Sequence, residues 1–255
     1  MPILVGSFLL IAALYASVGF GGGSSYTAML MLMDTDYRLV PIISLVCNLI
    51  VVSGGVIQFA RAGLIKAHVV LPCTLLSIPM AWLGGITPIN KDMFLLSLAL
   101  SLLASGAAML ITPPEPKGEV RIRSIRQLWI IGIPAGSVLG YLAGLVGIGG
   151  GIFLAPALYL LRLAPPKIVA ATASFFIMMN SLAGLLGHWL KPGTLELHEE
   201  LLAYAWLFPA VLIGGQLGSR AGIRILRPVT VRRLTALLVI IVGSRLLFSW
   251  YTTGS

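Results

Sequence analysis

The chain has 255 residues, of which 58% are hydrophobic and only 10% charged. A soluble domain is about 45–50% apolar and about 25% charged, so a water-soluble globule is excluded, and a mean hydropathy of +1.01 marks a polytopic membrane protein. The net charge of +9 does not point to nucleic acid, because the 17 Lys and Arg sit in short gaps between apolar runs, where membrane proteins keep their loop cations.

The chain opens Met1-Pro2-Ile3-Leu4 with no basic stretch, so the first apolar run is expected to stay in the mature protein. Eight apolar segments follow in order, at about 2–33, 39–59, 69–87, 93–112, 127–161, 168–190, 201–219 and 229–251. A bilayer core of ~30 Å takes about 20 helical residues. Six segments fit one crossing each, while the first and fifth are too long. Both long segments are interrupted by glycine, at Gly19-Phe20-Gly21-Gly22-Gly23 and at Gly147-Ile148-Gly149-Gly150-Gly151. Each glycine inside a helix costs ~1 kcal/mol, and three in succession are expected to break it. The piece after each break is ~15 Å of helix, so a short second helix is expected there. Cys47 and Cys73 lie inside apolar runs and read as small buried hydrophobes. Trp129, Trp189 and Trp250 fall at segment ends, as interfacial anchors do.

The interruptions belong to an internal repeat. Gly19 maps to Gly147 at an offset of 128. Beyond a two-residue insertion the offset is 130, pairing Ser44 with Ser174, Gly54 with Gly184, Pro79 with Pro209, and Gly84 and Gly85 with Gly214 and Gly215. This divides the chain into residues 1–115 and 127–255, joined by a charged linker at 116–126.

Charge decides between topologies. If every segment crossed once, the cations would divide eight against nine, with no bias. If the fifth crosses an even number of times, one side gains Arg61, Lys66, the four linker cations, Arg162, Lys167 and the five arginines from Arg220 to Arg233. The other keeps Arg38, Lys91, Lys191 and Arg245. Thirteen against four is a positive-inside pattern. The matching break gives the first segment the same parity, which inverts the halves, leaves both termini outside and puts the linker in the cytoplasm.

Broken helices at matching positions of two repeats point to a secondary transporter's site. A break frees backbone N–H groups at the start of the next helix, and with the helix dipole they can hold an anion without a buried cation. Gly21, Gly22, Gly23, Gly149, Gly150 and Gly151 are therefore candidate binding positions, with Ser24 and Ser25 beside them. Gly136, Gly140 and Gly144 recur every four residues and read as a helix-packing face. Asn48 and Asn180 would be costly facing lipid and serve either a site or an interhelical hydrogen bond. Ser44, Thr172 and Ser174 bond their own helix backbone or a substrate oxygen. His188, the repeat counterpart of Gln58, is either an interfacial histidine or a proton relay. Asp34 and Asp36 read as solvated loop charges.

The second half also reads Leu145-Val146-Gly147-Ile148-Gly149-Gly150-Gly151-Ile152-Phe153-Leu154-Ala155-Pro156, then Ala170-Ala171-Thr172-Ala173-Ser174 and Asn180-Ser181-Leu182-Ala183-Gly184-Leu185-Leu186-Gly187-His188. With Val18-Gly19-Phe20-Gly21-Gly22-Gly23 in the first half, the chain resembles the TauE/SafE family of sulfite and organosulfonate exporters over essentially its whole length. The first half departs at Ala28, which stands where the second has Pro156, so unequal contributions from the halves are expected. The resemblance implies an all-α polytopic protein of a bacterial inner membrane that exports a small sulfur-containing anion. Thiosulfate or a carboxylate is the alternative substrate, and a membrane-embedded enzyme the alternative class. No P-loop, HExxH or GxSxG is present, so no cofactor is expected. One intramembrane histidine makes a poor metal ligand set. The partners expected are the anion, the lipid bilayer and, as an open alternative to a monomer, a second copy in a homodimer.

Overall fold

The computed structural model describes residues 1–17, 19–111, 124–161, 163–191, 198–221 and 228–253. Among them the regular elements are all helices: α1 (Pro2–Ser17), α2 (Gly23–Leu32), α3 (Leu39–Arg61), α4 (Ala67–Thr74), α5 (Ser77–Ile86), α6 (Lys91–Ile111), α7 (Ile125–Val146), α8 (Gly151–Leu160), α9 (Pro166–Leu190), α10 (His198–Ala203), α11 (Leu207–Ala221) and α12 (Pro228–Thr253). Most of the linker, Arg162 and the loops at 192–197 and 222–227, with the charges counted there, lie outside the described residues. Six stretches are long and apolar enough to cross a membrane: 39–61, 67–86, 91–111, 125–146, 166–190 and 235–252. The chain is an all-α, multi-pass membrane protein.

Both long segments break at their glycines. α1 closes with the N–H of Phe20 on the Tyr15 carbonyl, and α7 closes with that of Ile148 on the Ala143 carbonyl, at 3.0 and 3.2 Å. Gly19 and Gly147 then turn the chain with φ of 81° and 76°, and Gly22 and Gly150 open the next helices with φ of 91° and 76°. Only glycine adopts these angles cheaply, so the same two positions of each repeat stop one helix and start another. The second helices, α2 and α8, have ten residues each.

Segments three and seven are each divided too. α4 and α5 part at Leu75 and Leu76, and α10 and α11 part at Tyr204 to Trp206. Pro79 and Pro209 occupy the third position of α5 and of α11. Proline has no N–H to give, which suits the first turn of a helix and not its interior. The division leaves the apolar part of α11 at Leu207–Ser219, below spanning length. The seventh segment is therefore not the single full-length helix that its composition suggested.

Packing follows the small residues. α7 lies against α4 and α5 with Gly136, Gly140 and Gly144 facing the carbonyls of Cys73, Ser77 and Ala81, which leaves no room for a Cβ. The numbers rise together, so α5 and α7 run parallel. Gly184 meets the Ala81 carbonyl and Gly187 the Trp82 carbonyl, so α9 is parallel to α5 as well. Gly214 and Gly218 set α11 parallel to α1 on the carbonyls of Leu9 and Ala13. α6 and α12 are antiparallel, with Gly106 against Ile240 and Gly243 against Leu103. α3 and α9 also run antiparallel, since Leu45 reaches Gly184 while Val52 and Val56 pack on Ile177.

Each pairing has its counterpart under the repeat. α1 packs on α11 and α7 on α5; α2 packs on α3 and α12, and α8 on α9 and α6. All of these except α2 on α3 and α8 on α9 join the two halves, as do α3 with α9 and α6 with α12.

Candidate functional site

The two breaks meet between the middles of α3 and α9. Asn48, at the centre of their meeting, is 1% exposed. Its Nδ2 donates to the Ile148 carbonyl of the second break at 3.1 Å. Its Oδ1 lies against Gly21 and its Nδ2 against Gly23, so a Cβ at either position would collide with the amide. A Cβ on Gly149 would come within 2.6 Å of the same Nδ2. One side chain therefore touches both breaks and requires glycine at three positions around it.

The triplets do not act as uniform strips. Gly22 faces Tyr15 and Ile11 of α1, where a Cβ would sit 3.2 Å from each. A Cβ on Gly150 would stand 2.8 Å from the Phe176 ring and 3.1 Å from the Ala143 Cβ. Gly151 abuts Ile177. Ile177 also meets Gly21 and Gly149, so it lines the junction from the α9 side.

Backbone donors lie at the helix starts. In α2 the first ladder bonds run from Ser25 and Tyr26 to the Gly22 carbonyl, at 3.0 and 3.1 Å. In α8 they run from Phe153 and Leu154 to the Gly150 carbonyl, at 3.1 and 3.3 Å. The N–H groups of Gly23 and Ser24, and of Gly151 and Ile152, precede these ladders and carry the positive end of each helix. The one ion pair among the described residues, Asp36 with Arg38 at 2.7 Å, stands in the loop after α2, away from the junction. Its hydrogen bond from Arg38 holds the Asp36 carboxyl below the usual carboxylate range.

The hydroxyls divide among separate tasks. Ser44 Oγ donates to the Gly23 carbonyl at 3.0 Å, with Thr27 Oγ1 2.8 Å from the same carbonyl. Ser174 Oγ reaches the Gly19 carbonyl and the Ala170 carbonyl of its own helix. Ser24 is 2% exposed. Ser25 turns to α1, where its Oγ is 2.9 Å from the Tyr15 hydroxyl, and that hydroxyl donates to Thr235 at 2.8 Å.

Two predicted residues bond neighbouring helices instead. Asn180 accepts from Ser77 of α5 at 2.9 Å. His188 Nε2 lies 2.8 Å from the Gly144 carbonyl of α7. Thr172 is buried with its Oγ1 unpartnered.

Ser181 was missing from the sequence-derived set. It is fully buried, its Oγ has no partner, and that oxygen lies 3.0 Å from where a Cβ on Gly149 would stand. The signal was present, because Ser174, Ile177 and Ser181 are spaced three and four apart and share one helix face. Asn48 Oδ1 is likewise buried and unpartnered. A buried polar atom without a partner costs ~1–3 kcal/mol. Two of them beside two helix starts make a place suited to a polar guest. Among the described residues no group of three or more His, Cys, Asp or Glu could hold a metal.

The family described as "Sulfite exporter TauE/SafE" matches residues 4–246. A "Probable membrane transporter protein y4hK" of Sinorhizobium fredii is 29% identical over 242 residues, covering 95% of this chain and 96% of that protein. A "Probable membrane transporter protein YunE" of Bacillus subtilis is 34% identical over 118 residues, 46% of this chain and 41% of its own length. No solved structure matches.

Proposed function

The chain belongs to the TauE/SafE family of bacterial membrane transporters, and from that premise we propose that it is a secondary transporter exporting a small sulfur-containing anion, a sulfite or an organosulfonate. The anion sits at the junction of the breaks. It is held by the N–H groups that open α2 and α8, by the second N–H of Asn48 Nδ2 and by the Ser181 hydroxyl. The observation that carries this reading is the single amide of Asn48 against Gly21, Gly23 and Gly149. It ties two helix starts together in a region without a charged side chain, where dipoles and hydroxyls must hold an anion.

The halves are taken as inverted. The antiparallel course of α3 against α9, and of α6 against α12, supports this, as does the parallel run of α5, α7 and α9. The last requires the chain to turn back between α7 and α9, which is what the thirteen-to-four charge division assumed. The 116–126 linker then lies in the cytoplasm and both termini outside.

Flux into proteoliposomes, measured in parallel for sulfite, sulfoacetate, thiosulfate and acetate, tests the substrate. Saturable movement of sulfite or sulfoacetate ahead of acetate is the expected outcome. Preference for acetate would replace the sulfur-anion reading with the carboxylate one, and no flux of any of the four would end the proposal.

A further inference from the structure

Positions that correspond in the two repeats are packed differently. On α3, Ser44, Asn48 and Val51 are buried toward the breaks. Gly55, Gln58 and Phe59 continue that face at spacings of three and four. Yet Gly55 and Phe59 are half-buried and Gln58 is exposed. They are not on the lipid side, because the outward stripe of this helix runs through Ile50, Ser53, Ile57 and Ala60, on its opposite face. The inward face of α3 is thus closed as far as Val51 and opens beyond it, from Gly55, which packs on the Gly19 backbone, to the exposed Gln58. At the head of the opening, Gly19 and Phe20 are half-buried too. Phe59 and Ser174 flank Gly19, and Phe20 packs against all three apolar clusters of the protein. Nothing lies within 4 Å of where a Cβ on Gly54 would stand.

The corresponding places in the second repeat are shut. Gly147 abuts Pro41, and Ile148, the counterpart of Phe20, is 3% exposed. Gly184, the counterpart of Gly54, packs on Gly144 and the Ala81 carbonyl. His188, the counterpart of the exposed Gln58, is 5% exposed with Nε2 2.8 Å from the Gly144 carbonyl. Beyond it, Lys191 Nζ donates to the Thr87 carbonyl at 3.0 Å. The surfaces under these two bonds are glycine on backbone: Gly184 on Gly144, and Gly187 on Gly85. Such surfaces carry few interlocking side chains, so they can slide, and directional hydrogen bonds, that of Ser77 on Asn180 deeper in the seam included, hold them in register.

We infer that the protein is held here with its first break open along the inward face of α3, toward the end carrying Arg61 and Lys66, and its second break closed, and that His188 and Lys191 form the latch of that closed path. In the alternate state the latch parts, α9 shears away from α7 and α5, Ile148 becomes accessible from the far end, and Phe20 becomes buried. Phe20 and Ile148 are the two gates, one for each end. This rests on reading the breaks as the transport site, but its test needs no substrate.

In a background with Cys47→Ala and Cys73→Ala, single substitutions Phe20→Cys and Ile148→Cys are exposed to a membrane-impermeant maleimide, in right-side-out and in inside-out vesicles. Phe20→Cys is expected to react in inside-out vesicles, and Ile148→Cys to react slowly from either side. Adding His188→Ala is expected to speed the reaction of Ile148→Cys in right-side-out vesicles by ~5-fold or more, the population shift from losing one hydrogen bond. His188→Gln keeps a donor for the Gly144 carbonyl and is expected to stay slow. Lys191→Met, at the half-buried end of α9, serves as a second opening variant should His188→Ala fail to insert. Rapid reaction of Ile148→Cys with the latch intact would overturn the closed path, and so would no change with either opening variant. Reaction of Phe20→Cys only in right-side-out vesicles would reverse the direction of opening. If the labelling pattern holds and none of the four anions moves, the gates stand and the substrate reading falls.

Discussion

Asn48 donates to the carbonyl of Ile148, 100 residues further along the chain, and by that one bond at 3.1 Å ties the second helix break to the middle of α3. The bond runs between repeats, whereas Ser44, one turn earlier on the same helix, bonds the Gly23 carbonyl within its own repeat. α3 therefore holds both breaks, its own repeat's through Ser44 and the other repeat's through Asn48. An amide suits the place because its Nδ2 donates one N–H to a carbonyl and keeps a second for a guest, without a charge that would have to be buried.

Asn48→Ala is expected to cost stability as well as affinity. It leaves the Ile148 carbonyl without its partner, a loss of ~1–3 kcal/mol. It also removes an amide from the proposed anion site, and a roughly tenfold rise in the concentration for half-maximal flux corresponds to ~1.4 kcal/mol. Thermal unfolding in detergent and sulfite flux in liposomes separate the two effects. Unchanged half-saturation in a destabilised variant would make Asn48 a structural tie only.

Two glycines of the first repeat form a controlled comparison. Gly54 is helical with open space around it, so Gly54→Ala is expected to leave flux intact and to add up to ~1 kcal/mol of helix stability. Gly21→Ala drives a methyl group into Asn48 Oδ1 and is expected to abolish flux. Equal flux in the two variants, per molecule inserted, would show that the break tolerates a side chain.

Much of this was legible in the sequence because it depends on local chemistry. Three consecutive glycines stop a helix wherever they occur, and the spacing of Gly136, Gly140 and Gly144 announces a close face without saying what approaches it. What the approach would be depends on register between distant segments. Asn180 and Asn48 looked alike as buried amides, yet one faces Ser77 of α5 and the other faces both breaks. His188 looked interfacial from its place near a segment end, and it is buried because the glycine faces of α7 and α9 bring the Gly144 carbonyl to it. Beyond the face it shares with Ser174, nothing in the sequence sets Ser181 apart, because a serine in an apolar helix usually bonds its own backbone; only the fold shows its hydroxyl unpartnered beside Gly149. The shortness of α11 was hidden because hydropathy does not register the turn that precedes Pro209.

The helix seam gives a prediction about folding alone. Gly140→Val would place a branched side chain against the Ser77 carbonyl, a backbone atom that cannot turn aside. Overpacking costs typically ~1–3 kcal/mol, so yield and thermal stability are expected to fall while the half-saturation of the surviving protein stays put. A shifted half-saturation at normal yield would mean that the seam reports directly on the site.

Topology is checked at two loops within the described residues. Lys66→Cys and Lys91→Cys, each alone in a background with Cys47→Ala and Cys73→Ala, are expected to react with an impermeant thiol reagent from opposite faces, position 66 from inside and position 91 from outside. Both are exposed, so access is not limited by burial. Labelling from one face would remove the span formed by α4 and α5. Reversed labelling would turn the positive-inside assignment over and make the open path an outward one.

Ser181→Ala makes the sharpest separation of site from scaffold, because the two roles predict opposite signs. The hydroxyl is buried and has no partner in the protein, so its removal relieves an unsatisfied group and is expected to leave thermal stability unchanged or raised by ~1 kcal/mol. If the hydroxyl donates to a bound anion, the same change weakens binding, since a hydrogen bond to a charged group contributes ~1.5–3 kcal/mol. The expected result is a protein at least as stable as the parent whose half-saturating sulfite concentration is raised by an order of magnitude or more. Adding sulfite should then also protect the parent against thermal unfolding more than it protects the variant, since a ligand stabilises in proportion to how tightly it binds the folded state. A variant that unfolds earlier, with unaltered half-saturation and unaltered protection by sulfite, would show that Ser181 serves the packing of α9 and that the anion is held elsewhere.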